Sequence, residues 1–336
     1  MPRLATVAGA LLGPVARFVT ARHLRVLVYH RFSARPEPRK LAADALREQL
    51  RYLRRHFTPL TLGQVARAAV AGTPLPPRSV VVTVDDGYAD FVDVAYPLLV
   101  EHRVPATLFV VSTFAEGTEW AWYDKLRYLV YASTAPEVTV ELPGKSQRHA
   151  LASPADRERA WDRIATDCLR LTTVQRTELI RQLAHSLGVA LPVRRPSEYA
   201  AAGVDRLRAL DPEIVDIGGH TATHPILSMC TDDELEAEIV GGRDRLRELL
   251  DRPVDFFCYP NGMPGDFDER TKAAVRRAGY VAATVAYGGL CTPARIASDP
   301  YAIPRLSVGA GLESVRNELN GATYLRARVT LASARS

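Results

Sequence analysis

Sulfur and indole side chains are scarce in this chain of 336 residues, which has four cysteines, three methionines and three tryptophans. Cys168, Cys230, Cys258 and Cys291 form no CxxC pair and no zinc-ribbon spacing, which argues against a thiolate metal knuckle and a disulfide-stapled small fold. They read as buried, reduced thiols. No apolar run is long enough to cross a bilayer; residues 4–16 come nearest and fall short of the roughly 20 residues a spanning helix needs. No internal repeat or low-complexity tract is visible. The net charge is +5, but the arginines are not interleaved with aromatic residues, which argues against nucleic acid as a partner. Stretches such as LREQLRYLRRHF, residues 46–57, read as solvated helix faces, with an anionic membrane surface as the alternative.

What is present is ample core: hydrophobic residues make up 47% and charged residues 24%, enough for one large α/β barrel or two ordinary domains. Leu4, Val7, Ala8, Leu11, Leu12, Val15, Phe18 and Val19 share one helical face, so residues 1–22 read as an amphipathic helix that docks on the domain or on a membrane. A signal peptide is the alternative. The corresponding location is cytoplasmic and membrane-associated, or exported if the segment is a signal.

Beyond it, short apolar strands alternate with helices. Strands are expected at 24–29, 80–84, 105–111, 215–217, 254–260 and 280–286, and helices at 43–56, 61–72, 88–102, 231–250 and 268–279. This alternation predicts a parallel sheet, open or closed into a barrel. Residues 115–208 break the rhythm and read as a mostly helical insertion, with EVTVEL as its one β-rich run. Trp120, Trp122 and Tyr123 within it read as packing residues, with sugar stacking as the alternative.

In such folds chemistry gathers at the C-terminal ends of strands. Those ends carry His30, Asp85 with Asp86, His220, the run from Tyr259 to Gly262, and Arg305. Two adjacent carboxylates after the buried run VVVTV are costly unless they do different things. Neighbours on a strand point to opposite faces, so both enter one pocket only if the chain turns there, and Gly87 permits a turn. The plain alternative is that one aspartate caps the next helix. His220 and His224 are four apart, a spacing that puts two imidazoles on one face of a helical turn, within reach of one metal ion. A carboxylate from the other loop completes a two-histidine, one-carboxylate site with open positions, and the second carboxylate is left free as a base.

Three motifs, TVDDGY, GGHTATHP and FFCYPNG, in this order, resemble the polysaccharide deacetylase family with its NodB homology domain (carbohydrate esterase family four). The likeness spans about residues 24–310 outside the insertion. It implies a distorted seven-stranded (β/α) barrel over 23–312, interrupted by 115–208, with a C-terminal helix or tail at 313–336. It implies hydrolysis of N-acetyl groups on amino sugars of a polysaccharide, oligosaccharide or lipid-linked glycan precursor. By the same resemblance Asp85 is the base. Asp86, His220 and His224 hold a divalent metal, usually Zn2+, and the Asn261 backbone N–H helps stabilise an oxyanion. Thr221, Thr223 and Pro225 shape the metal loop. The chain departs from the pattern in three places. Cys258 stands where the third motif often has arginine, IPRLSV at 303–308 lacks the histidine of the last motif, and the tryptophan motif is absent. His30 is therefore the expected acid, since its YH context resembles the exopolysaccharide-modifying branch. Arg305 is expected to orient Asp85 or bind substrate, and Tyr259 to line the sugar groove. The competing readings are an amidohydrolase acting on a non-sugar amide or imide, and a non-catalytic glycan-binding relative.

Overall fold

The computed structural model describes residues 15–321 and 324. Seven parallel strands close into a barrel in chain order: β1 (Arg25–Tyr29), β2 (Ser79–Val84), β3 (Ala106–Val110), β4 (Val215–Gly219), β5 (Phe256–Cys258), β6 (Ala282–Gly288) and β7 (Ile303–Ser307). The ring closes because β1 pairs with both β2 and β7. This is the expected (β/α) barrel.

The strands are apolar on both faces because each face meets a core. Every residue of β1 and β2 is buried. Val80, Val82 and Val84 face outward onto α1 (Ala43–His56), with Leu46, Leu50 and Leu53 in the same cluster. Val81 points inward with Val26, Phe109 and Phe256. Each such side chain contributes about 1.5–3 kcal/mol through burial. Below them α2 (Leu62–Val70) plugs the N-terminal mouth, adding Leu62 and Val65 to this inner cluster. Thr61 starts α2 through a capping box with Gln64. The floor of the barrel is therefore apolar, and the inward-facing polar residues Thr83, Asp85, His220 and Arg305 lie towards the C-terminal mouth, all buried.

Between β3 and β4 the insertion builds its own small core from α3 (Trp122–Ala132), α4 (Pro154–Cys168) and α5 (Thr173–Leu187), with Leu126, Leu129, Ile164 and Leu183 at its centre. It also holds an antiparallel hairpin in which Glu137–Leu142 pairs with Lys145–Ala150. The first hairpin strand alternates buried and exposed residues; the second, KSQRHA, has no buried residue and so gave no periodic signal. After β4 the expected helix opens on a Thr231–Glu234 capping box, widens into a π-helical stretch, Glu236–Gly241, and resumes as α6 (Gly242–Leu250).

Residues 15–19 are helical and meet α7 (Leu312–Leu319) through Arg25. This fully buried guanidinium donates to the carbonyls of Leu319 at 2.7 Å, Thr20 at 3.1 Å and His23 at 2.6 Å. The rest of the expected N-terminal helix, residues 1–14, and most of the C-terminal tail, 325–336, lie outside the described residues. All four cysteines are buried and unpaired. Among the described residues no helix is long and apolar enough to cross a membrane.

Candidate active site

The turn after β2 is made by two left-handed residues in succession, Asp86 at φ 77° and Gly87 at φ 87°. Glycine takes this conformation freely, whereas an aspartate there is uncommon. The turn lets both carboxylates enter one mouth, and neither side chain caps the following helix. Thr221 at φ 69° and His224 at φ 61° repeat the device in the loop after β4, and Asn261 at φ 57° repeats it after β5. A β-branched residue such as Thr221 is strained in this region, at about 1–3 kcal/mol per residue, and such strain concentrates at functional sites.

Asp86, His220 and His224 converge. Asp86 Oδ1 stands 3.7 Å from Nε2 of His220 and 3.7 Å from Nε2 of His224. Ligands about 2.0–2.2 Å from a tetrahedral zinc stand roughly 3.3–3.6 Å apart, so the trio is close to closing on an ion. His220 Nδ1–H donates to the Cys258 carbonyl at 2.7 Å. A carbonyl only accepts, which fixes the tautomer and leaves Nε2 with its lone pair free, the usual arrangement of a metal-binding histidine. Burial, with the Arg176 charge adding to it, holds the His224 pKa well below its ordinary value, so it too is neutral. The histidines reach these positions without a helical turn. His220 directly follows β4, and His224 follows through an irregular loop bent by its two left-handed residues.

Asp85 is held differently. Arg305 donates Nη1 to its Oδ1 at 2.7 Å and Nη2 to its Oδ2 at 2.8 Å, with both residues almost fully buried. Burial alone would raise the Asp85 pKa, but the Arg305 charge and hydrogen bonds outweigh it and hold the carboxyl well below the usual range. A second donor set, Asp85, His220 and Cys258, is also compact. It is the poorer metal site, because Arg305 occupies both Asp85 oxygens and burial raises the Cys258 thiol pKa far above neutrality.

The other expected site residues separate. His30 is half-exposed at the rim, with Nε2 3.7 Å from Asp85 Oδ2. Asn261 lines the cavity, and its backbone N–H makes no hydrogen bond among the described residues. Arg305 lies inside β7 rather than after a strand, and its side chain crosses the barrel interior. Tyr259 does not line a groove. It sits one residue past Cys258 and so faces outward, 1% exposed, stacked on Phe267 at 4.2 Å and bonded to the Tyr301 carbonyl at 3.0 Å.

Several supporting residues gave no sequence signal. Glu238, in the π-helical stretch, accepts from the N–H groups of Ala222 at 2.9 Å and Thr223 at 2.8 Å and from the Thr223 hydroxyl at 2.6 Å. Gly242 lets α6 approach this loop: a Cβ there would stand 2.9 Å from the Ala222 nitrogen. On the other side Trp122 Nε1 donates to the His224 carbonyl at 3.1 Å, and the Thr113 hydroxyl donates to the Ala222 carbonyl at 2.6 Å. The insertion thus buttresses the loop that carries His220 and His224, with Trp122 packed against that loop while also lining the cavity beside it.

The mouth opens into a cavity of about 870 Å³, walled by the barrel loops on one side and by Trp161, Arg127 and Asp124 of the insertion on the other. Trp161 is flanked by guanidinium groups, Arg39 at 4.2 Å and Arg127 at 5.0 Å from its ring. Asp124 accepts from the Tyr88 hydroxyl at 2.6 Å. Burial pushes its pKa up to about 7, against the lowering effects of that hydrogen bond and of Arg31.

Comparisons with known proteins agree with this geometry. Residues 72–141 and 196–283 match the family model described as polysaccharide deacetylase, and the gap between the two segments falls within the insertion. A stretch of 74 residues is 37% identical to the poly-beta-1,6-N-acetyl-D-glucosamine N-deacetylase of Escherichia coli (strain K12), covering 22% of this chain and 11% of that protein. The chain therefore matches about a ninth of the length of that relative. Among solved structures, IcaB from Ammonifex degensii superposes with a TM-score of 0.59 at 15% identity, covering 89% of this chain and 97% of the other. The Streptococcus pyogenes deacetylase PplD, solved with acetate, gives 0.57 at 16% identity, covering 88% and 98%. At these identities the structures speak for the fold, and in sequence the chain is similar to the polysaccharide deacetylase family over the matched segments.

Proposed function

We propose that this protein is a metal-dependent hydrolase that removes N-acetyl groups from amino sugars of a glycan. The observation that carries this reading is the division of labour between adjacent aspartates. Asp86 joins His220 and His224 in a donor set, while Asp85 is kept off it, ionised, by Arg305. The curated relative named a poly-beta-1,6-N-acetyl-D-glucosamine N-deacetylase supports an acetylated amino-sugar polymer as the substrate class.

Asp86, His220 and His224 would hold the divalent cation, zinc being the ion their chemistry suits best. When bound, such an ion supplies Lewis-acid polarisation of a carbonyl and lowers the pKa of water. Asp85 accepts the proton of the attacking water, and its bidentate partner Arg305 fixes the accepting oxygens. The free N–H of Asn261 donates to the oxyanion that develops on the acetyl carbonyl oxygen. His30, on the rim beside Asp85, delivers a proton to the nitrogen as the C–N bond breaks, so acetate and a free sugar amine result.

The test is acetate release from N-acetylglucosamine oligomers by the metal-loaded protein, with and without chelator. Asp85→Asn should abolish turnover while bound zinc stays stoichiometric; His224→Ala should lose the zinc; His30→Ala should slow turnover with zinc unchanged. Stoichiometric metal with no acetate from any acetylated glycan would leave the amidohydrolase and glycan-binding readings standing instead.

A further inference from the structure

The end of the barrel opposite the cavity has a chemistry that the hydrolase reading does not use. At the N-terminal mouth, the helical residues 15–19 present Val15, Phe18 and Val19 to solvent, with Phe18 83% exposed. Val70 is exposed at the end of α2, the helix that plugs this mouth. Beside them lies a cationic field. His56, in the last turn of α1, has its pKa lowered first by burial and then by the charges of Arg17, Arg55, Arg316 and Arg78.

Arg17, Arg22, Arg55 and Arg78 are in ion pairs with no carboxylate among the described residues, although the chain elsewhere pairs its arginines freely. The adjoining sequence does not neutralise them. The first acidic residue of the chain is Glu37 and the last is Glu318. Residues 1–14 and 325–336 add four arginines and no aspartate or glutamate. Both segments join the body at this face, where His23 packs edge-on against Tyr324 at 5.4 Å and Arg25 clamps Thr20 to Leu319.

We propose that this face docks on an anionic lipid bilayer, with Phe18, Val15 and Val19 entering the interfacial region and the unpaired arginines meeting lipid phosphates. Exposed apolar side chains flanked by arginine are the signature of a segment lying in a membrane interface, and each arginine near an anionic surface strengthens binding roughly fivefold. A second copy of the chain is a poor occupant, because two such patches would bring unpaired cations against each other. Docked this way, the catalytic mouth points away from the bilayer, one barrel height above it. The proposal does not depend on the hydrolase reading.

The experiment is flotation of the full chain with vesicles of phosphatidylcholine alone and of phosphatidylcholine with phosphatidylglycerol, over a range of salt. Binding to the anionic vesicles that fades with salt is expected, with little binding to the neutral ones. Phe18→Asp, and separately the double change Arg17→Glu with Arg55→Glu, should each weaken partition about tenfold or more while circular dichroism and melting stay unchanged. Equal binding to both vesicle types, or unaltered partition of both variants, would overturn the proposal. So would a concentration-dependent dimer lost in the same variants, or tighter binding to a DNA duplex than to anionic vesicles.

Discussion

Arg305 reaches Asp85 from the last strand, while Cys258 stands on the fifth, at the position where the resemblance implies an arginine. Removing Arg305 strands a buried carboxylate, which typically costs about 3–5 kcal/mol. Arg305→Ala should therefore lose both turnover and stability in urea melts, and Arg305→Lys should recover charge but not the two-pronged grip. The sign with pH follows from the depressed Asp85 pKa. The pair stabilises fully above the unfolded value of roughly 3.9 and loses that contribution as pH falls below it. The stability gap between wild type and Arg305→Ala should accordingly shrink in acid. Asp124 has the opposite sign, because its carboxyl is raised to about 7 when folded. It favours the folded state least once ionised, so the melting temperature of Asp124→Asn relative to wild type should climb as pH rises from about 5 to 8. Among single residues, the convergence of Asp86, His220 and His224 beside Asp85 was legible because their motifs pair chemistry with strand ends. Tyr259 was not, because its direction depends on strand parity, and parity depends on where β5 stops. Asp124 was invisible because nothing in the sequence brings α3 over the barrel mouth.

At the level of elements, the loop from His220 to Pro225 is the piece that everything else holds. Its backbone is bent against preference and gripped by Glu238, α6 and α3. A side chain at 242 would push directly on it, so Gly242→Val should lower zinc affinity about 10–100-fold, read by calorimetric titration, with little change in far-ultraviolet circular dichroism. The strands and most helices could be read from apolar runs and caps such as Thr61 and Thr231. The π-helical widening at 236–241 could not, since its apolar spacing resembles that of an ordinary helix, yet it lies where Glu238 meets the metal loop. The polar hairpin strand Lys145–Ala150 was hidden for the complementary reason: it buries nothing.

At the scale of the molecule, closure of the barrel was legible only through family resemblance, because alternating strands and helices fit an open sheet equally well. Closure has a consequence for when the protein becomes competent. Asp85 and Arg305 are 220 residues apart in sequence and flank β1 from either side. While the chain is being made, Asp86, His220 and His224 can assemble once residue 224 has emerged, but the Asp85 carboxylate beside them still lacks its counter-ion. The Asp85–Arg305 pair is complete only when β7 seats itself between β6 and β1, so the final strand serves as a built-in check that the ring has closed before this buried carboxylate has its partner.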